Sequence, residues 1–315
     1  MEERLLELLR LAIKYNATDI HFNMAYQEVK IQMRINKELR EVVSKFEDYK
    51  LIRYLQYLAN LDVGNLLVPQ TGQFELEVDK TLLSLRFAVI NSLNNTNAVL
   101  RILNSELKIS LDKLSTLPSQ NKFFKDIINN DCGLVIFSGP TGSGKTTTLY
   151  TLLKSITNKK IYTIEDPIEV YNDSLIQLQV NESIGFDYAA GVAQILRHDP
   201  DIIMIGEIRD EKAAKMAVVA ANTGHLVLTT LHASKASSCI SRMVDLGVNI
   251  DHLYENLICV SNQRMLIDKD NKIMILYEIM DRNEIEYYRK NKANTNDFLN
   301  IERQINDCNE KHLLK

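Results

Sequence analysis

The chain has no apolar run approaching the roughly 18 residues that read as a membrane-crossing helix. Its four cysteines (Cys132, Cys239, Cys259, Cys308) lie far apart with no C-x-x-C. That spacing gives no zinc pattern and fits free thiols in a reducing compartment. Basic charge is not in surplus: 37 Lys and Arg stand against 41 Asp and Glu. A generally basic nucleic-acid binder is therefore disfavoured, local patches aside. Glu2 and Glu3 occupy the place where a signal peptide carries positive charge, so no leader is expected. These absences together suggest a cytoplasmic protein. The rest of the composition is ordinary, with 45% hydrophobic and 25% charged residues over 315 positions. That length suggests two domains, each able to bury a core.

The feature around which the chain is organised is residues 134–150. Leu134 to Phe137 reads as a buried strand that breaks into a glycine-rich turn, and a helix opens at about Lys145. Gly139, Gly144, Lys145 and Thr146 fit G-x-x-x-x-G-K-[ST]. Glycines let backbone N–H groups turn inward as a concave anion site, and the following helix points its positive end there. The nucleotide contacts expected are Gly139, Pro140, Thr141, Gly142, Ser143, Gly144, Lys145, Thr146 and Thr147. Lys145 would reach the β- and γ-phosphates of ATP, and the Thr146 hydroxyl would ligate Mg2+. The competing account, a chance lysine after a glycine turn, is weakened by the strand before and the helix after.

Before this loop, Leu5, Leu8, Leu9 and Ala12 repeat at helical spacing, and Val29, Ile31, Met33 and Ile35 alternate as in a half-buried strand. Asn36-Lys37 reads as the turn to a returning strand at 39–43, followed by a helix at 47–60 and strands at 73–79, 82–90 and 97–103. We read 1–104 as a small α+β domain and 105–120 as a linker in which Pro118 breaks any helix. A nucleotide domain covers 121–267, and 268–315 reads as a peripheral helical tail. Arg86 and Arg101 lie in strands among apolar neighbours. Each is either an outward arginine in a surface salt bridge or a guanidinium completing a nucleotide site across a domain or subunit boundary. Composition leaves both readings open.

After the loop, Lys160 to Ile164 reads as a strand ending in Glu165, Asp166 and Glu169, either a metal- or water-holding cluster or a solvated acidic loop. Ile202 to Ile205 is a third buried strand, followed by Gly206-Glu207-Ile208-Arg209-Asp210. Gly206 stands where a P-loop ATPase usually has its metal-holding aspartate, so Glu207 is expected to act on the attacking water or the magnesium's water shell. His225 and His232 bracket a fourth strand and are either γ-phosphate sensors or ordinary polar strand ends. Strands alternating with helices imply a mostly parallel α/β sheet with ligands at its carboxyl ends.

Together these motifs resemble the secretion-superfamily ATPases of type II secretion, type IV pili and competence pseudopili. The resemblance rests on Gly-Pro-Thr-Gly-Ser-Gly-Lys-Thr-Thr-Thr-Leu-Tyr (139–150), Ile-Glu-Asp-Pro-Ile-Glu (164–169), Leu-Arg-His-Asp-Pro-Asp (196–201), Ile-Gly-Glu-Ile-Arg-Asp (205–210) and Thr-Gly-His-Leu-Val-Leu-Thr-Thr-Leu-His-Ala (223–233). Ala17-Thr18-Asp19-Ile20-His21 and Gln263-Arg264 are similar to further family motifs. The resemblance implies a RecA-like P-loop domain preceded by a PAS-like α+β domain. It implies Mg2+ at Thr146, Asp166 and Glu207, with Glu165, Glu207, His232, Arg86 and Arg101 in catalysis. It further implies a homohexamer with ATP between subunits, docked at the inner face of the cell membrane on a polytopic platform protein, and no direct nucleic-acid contact. The missing tetracysteine module (hence no zinc), the missing retraction motif and the short N-terminal part favour the competence pseudopilus type, assembling a pseudopilus for DNA uptake. The alternatives are a retraction, type II secretion or conjugation ATPase, a DNA-translocating RecA-like motor, and a non-hydrolysing ATP-binding scaffold.

Overall fold

The computed structural model describes residues 1–315 except 27, 36–37, 46, 65–67, 93–94, 104–108, 270–272, 311–312 and 314–315. The turn expected at Asn36-Lys37 and the start of the expected linker thus lie outside the described residues. The chain divides into two compact units, Met1–Glu106 with Glu169–Tyr171, and Leu107–Ile168 with Asn172–Lys315.

In the first unit, α1 (Glu2–Lys14) and α2 (Tyr49–Leu58) cover one face of an antiparallel sheet of β1 (Asp19–Ala25), β2 (Glu28–Ile35), β3 (Glu38–Val42), β4 (Gln70–Val78), β5 (Thr81–Asn91) and β6 (Asn95–Ile102). The strand order is β3-β2-β1-β6-β5-β4. Period-2 alternation builds the core. Leu83, Leu85, Phe87 and Val89 of β5 are buried with Leu5, Leu8, Leu9 and Ala12 of α1, whose helical spacing presents one apolar stripe. Arg86 and Arg101, by the same alternation, face away from that core and stand directly opposite each other on β5 and β6.

The second unit is a RecA-like α/β domain. Its sheet contains β7 (Gly133–Ser138), β8 (Ile161–Glu165), β9 (Ile176–Gln179), β10 (Ile202–Ile205), β11 (Leu226–Leu231), β12 (Leu257–Ile267) and β13 (Ile273–Asp281), in the order β13-β12-β7-β11-β10-β8-β9. All neighbours are parallel except β12 and β13. Covered on both faces, β7, β10 and β11 are buried throughout; β10 is apolar along its length, while β7 and β11 turn polar at Ser138, Thr229 and Thr230 toward their carboxyl ends. Alternate residues Leu134, Ile136, Ile203, Ile205, Val227 and Leu231 pack on α5 (Tyr188–Ile195), α6 (Glu211–Asn222), α7 (Ala236–Asp245) and α8 (Ile250–Asn256). On the other face, Phe137 meets Phe124 of α3 (Pro118–Ile127), and Tyr277 of β13 meets both Phe124 and Thr148 of α4 (Lys145–Lys154).

Two expectations are corrected here. Pro118 begins α3 instead of breaking a helix, because proline's missing N–H costs nothing in the first turn. The adjoining segment is also held. Asn121 Nδ2 donates to Asp112 O and Ser115 O, and Gln120 Nε2 donates to Tyr277 O at 2.7 Å. Residues 268–315 are not a purely helical tail: 273–281 form the edge strand β13, followed by α9 (Arg282–Asn291) and α10 (Ile301–Glu310). The strand was hidden because Glu278, buried at 5% exposure, interrupts its apolar pattern. Its carboxylate accepts the amides of Ala236 and Ile301, at the starts of α7 and α10.

Candidate functional site

The parallel strands bring their carboxyl ends to one edge, where Ser138, Leu231, Ile205 and Glu165 terminate β7, β11, β10 and β8. The glycine-rich loop follows β7 there. At Gly139 φ is +142°, and a Cβ would lie 2.5 Å from Gln263 O and 2.8 Å from Ser143 Oγ. Only glycine permits the chain to pass so close to β12. The loop is fastened from beneath. Gln263 Nε2 donates to Ser143 O at 2.6 Å, and Ser138 Oγ donates to Ser261 O at 3.0 Å. Asn262 Nδ2 bridges Ser138 Oγ and Ala233 O, at 2.9 and 3.0 Å. Of these β12 residues the sequence analysis singled out only Gln263, within the Gln263-Arg264 motif; Ser261 and Asn262 escaped it.

Gly144, the residue before α4, has no side chain to cap the helix, so the first-turn amides face the loop's bowl. Lys145 Nζ donates to Gly139 O and Pro140 O at 2.9 and 3.2 Å, folding the ammonium into the bowl. Ser143 Oγ is buried there without a hydrogen-bond partner among the described residues. A positive helix end, an ammonium and a hydroxyl without a partner among the described residues fit the phosphates of a nucleotide.

The acidic residues divide into a buried one and a pair nearer the surface. Glu165, 3% exposed, is held inside the fold. Tyr150 Oη lies 2.7 and 2.8 Å from its two oxygens, and Thr163 Oγ1 donates to Oε1 at 2.7 Å. Gln177 Nε2 donates to the Tyr150 hydroxyl at 2.7 Å, leaving that hydroxyl's proton for the carboxylate. Gly206 lies against this residue: a Cβ on it would be 3.4 Å from Cα and Cγ of Glu165 and 3.2 Å from Ile164 O.

Half-buried Glu207 and exposed Asp166 form the second group. Glu207 Oε1 is 3.1 Å from His232 Nε2, and Arg209 Nε donates to Glu207 Oε2 at 2.9 Å. Arg209 also donates from Nη1 to Asp166 Oδ2 at 3.0 Å, so one guanidinium ties the tips of β8 and β10. Tyr188 stands beside this cluster. Burial pushes its hydroxyl pKa up and Arg209 pulls it down, while Asp166, Glu207 and Glu165 add to the rise, so it stays protonated. Sequence reasoning found Glu207, Asp166 and His232 but assigned no role to Arg209, Tyr150, Gln177 or Tyr188. Arg209, two residues after Glu207, was quoted within the motif without one.

His225 does not join this cluster. It precedes β11 whereas His232 follows it, so six strand residues separate them. Its Nδ1 lies near Thr223 Oγ1 and Ala220 O at 3.0 and 3.1 Å, closing the end of α6. Strand direction decides this: only the carboxyl end of β11 reaches the loop edge. Arg86 and Arg101 belong to the first unit, where Arg101 Nε donates to Asp19 Oδ1 at 2.7 Å.

The family model described as "Type II/IV secretion system protein" matches residues 1–310. Over 264 residues the chain is 38% identical to competence protein ComGA of Bacillus subtilis (strain 168), covering 82% of this chain and 74% of that protein. It is 36% identical over 264 residues to type II secretion system protein E of Pseudomonas aeruginosa, covering 82% of this chain but only 53% of that protein. The chain thus spans about half the length of such type II secretion relatives. Among solved structures, that of the pilus retraction motor PilT with bound ADP superimposes with a TM-score of 0.72 and 28% identity, covering 98% of this chain and 90% of that one.

Proposed function

The chain belongs to the type II/IV secretion system protein family and is an ATPase, and from that premise we propose that it powers assembly of a competence-type pseudopilus for DNA uptake. The observation that carries the catalytic reading is the placement of Glu207. Its carboxylate is oriented by His232 and Arg209 at the carboxyl edge of the same sheet that carries the glycine loop. Strands β10 and β7 are separated by β11, so Glu207 and the loop stand about two strand spacings, roughly 10 Å, apart.

In this reading the loop amides and Lys145 bind the phosphates of ATP, and Glu207 orients and deprotonates the attacking water. His232 holds Glu207 in register. Thr146 would hold Mg2+ directly, and Asp166 and Glu207, two to three strand spacings away, would act on it through its water shell; the cation neutralises phosphate charge when bound. Arg209, paired with both carboxylates, keeps them together and compensates their charge. Arg86 and Arg101 are directed at nucleotide phosphate in a homohexamer, and hydrolysis moves one domain relative to the other. The expected domain limits, 1–104 and 121–267, remain part of this proposal. The stroke would act on a membrane platform protein from the cytoplasmic side, without contact to nucleic acid.

Glu207→Gln tests the catalytic reading. Nucleotide binding should persist while turnover falls by at least a hundredfold, in line with loss of a positioned base (about 10²–10⁴-fold). Unchanged hydrolysis would remove Glu207 from the mechanism. Restoration of pseudopilus assembly by the Gln variant would favour a non-hydrolysing scaffold. The likeness to a retraction motor supports a second reading. A null strain that accumulates pili, instead of lacking them, would favour it.

A further inference from the structure

The second unit contains a cavity of about 310 Å³ that the glycine loop and the carboxylates leave unused. Its walls are the start of α7, the strands β12 and β13, and the segment between α9 and α10. Three cations reach it from three separate elements: Lys235 before α7, Arg264 on β12 and Arg303 in the first turn of α10. Strand alternation sends Arg264 there. Gln263 turns to the glycine loop, so its neighbours Asn262 and Arg264 turn to the opposite face, where Asn262 meets Ala233 O.

The fold does not consume this charge. Arg264 is half-buried, and neither its guanidinium nor the Lys235 ammonium has a hydrogen-bond or ion-pair partner among the described residues. Arg303 spends one N–H on Asn296 O at 3.2 Å and keeps its others. The deep carboxylate of the lining, Glu278, is already engaged by the amides of Ala236 and Ile301, and the positive ends of α7 and α10 offset its charge. Glu302 is exposed at the rim, and Ser234 and Ser237 add hydroxyls to the wall.

We propose that this cavity is a regulatory site for a small phosphate-bearing ligand, held by Arg264, Lys235 and Arg303. A phosphate group carries a charge of about −1.5 to −2 at neutral pH and three acceptor oxygens. It therefore takes the planar fork of Arg264 and the point charge of Lys235 together, where one carboxylate would leave a cation over. The volume is at the lower end of small-molecule sites, about 300–1,000 Å³, and admits a compact body behind the phosphate. Regulation follows from position. Arg264 adjoins Gln263, which fastens Ser143 of the glycine loop, and Lys235 lies shortly after His232, which holds Glu207. A ligand bridging the two cations ties these two anchors together. The regulatory role rests on the reading of the loop and Glu207, whereas the binding site does not.

The test titrates the full chain carrying Lys145→Ala, which removes the glycine loop's cation, with inorganic phosphate and with ribose 5-phosphate at fixed ionic strength. Saturable binding in calorimetry is expected, and adding Arg264→Gln should weaken it about tenfold or more, the worth of a charge-assisted contact. Tighter binding of the ester identifies a phosphorylated small molecule as the ligand, and equal or tighter binding of phosphate identifies the free ion; either supports the site. No saturable binding, or the same affinity after Arg264→Gln, overturns it. Should Arg264→Gln fail to fold, Lys235→Gln, on the exposed rim, decides by the same criterion. With Lys145 intact and MgATP saturating, the tighter probe should change turnover about twofold or more, and Arg264→Gln should abolish the change. Turnover that ignores the bound probe overturns the regulatory role. The binding titration is read without turnover, so failure of the catalytic reading leaves its result intact.

Discussion

Replacing Tyr150 by Phe removes one oxygen from the interior of the second unit and probes how the loop helix is joined to the acidic strand. Tyr150 is fully buried on α4, and its hydroxyl bonds both oxygens of Glu165 on β8. A hydrogen bond to a charged group is worth about 1.5–3 kcal/mol, and a buried carboxylate that loses a donor incurs the upper part of that range. Gln177, which donates to the same hydroxyl, loses an acceptor as well. We expect Tyr150→Phe to destabilise the second unit by about 2–3 kcal/mol, a fall of roughly 5–10 °C in its melting temperature. Glu165→Gln preserves shape but removes the charge, so the Tyr hydroxyl then makes only a neutral bond. A double-mutant cycle of Tyr150→Phe with Glu165→Gln, read by denaturant unfolding, should give a coupling of about 1.5 kcal/mol. A coupling under about 0.5 kcal/mol would show that Glu165 is held by Thr163 and the strand alone.

His232→Ala should cut steady-state ATP hydrolysis at least tenfold, whereas His225→Ala, at the far end of β11, should leave turnover within about twofold. Equal losses in the two variants would contradict the placement. Gly139→Ala should cost at least about 2 kcal/mol of stability by calorimetry, because φ is +142° and a Cβ meets Gln263 O. Asp19 gives a pH prediction for the first unit. Burial pushes its carboxyl up, but hydrogen bonds from Arg101 and Thr18 outweigh this and leave the pKa below its ordinary value. A depressed folded-state pKa contributes stability above the unfolded value, near 4, and that contribution is lost as pH falls through the folded value. Stability should therefore decline below about pH 4, and Asp19→Asn should flatten that limb in acid titrations followed by circular dichroism.

How much of this was legible depended on whether chemistry was local in the chain. The glycine loop, Lys145 and Thr146 lie within one strand–turn–helix, so spacing alone located them. Glu207 was found because it lies just past a buried strand, with one residue, Gly206, between it and the strand's end. The Tyr150–Glu165 bond joins a residue of α4 to the end of β8, a contact set by how the helix lies on the sheet and not by any local spacing. That Arg86 and Arg101 stand opposite each other depends on a pairing register that no local pattern encodes. Strand β12 stayed hidden for a functional reason. Ser261, Asn262 and Gln263 are fully buried, yet they are polar because the loop and its neighbours are fastened to them. The apolar signature of a strand is lost where the site needs hydrogen bonds. The two histidines show the converse: similar in sequence context, they are separated by the direction of the strand between them.

The central claim, a triphosphate seated on the glycine loop and gripped by Lys145, is tested most directly by equilibrium titration of the purified chain with MgATP beside its Lys145→Ala variant. Saturable binding by the native chain, abolished or weakened at least a hundredfold in the variant, is the predicted result. Absence of binding by the native chain, or equal affinity in both proteins, would contradict it.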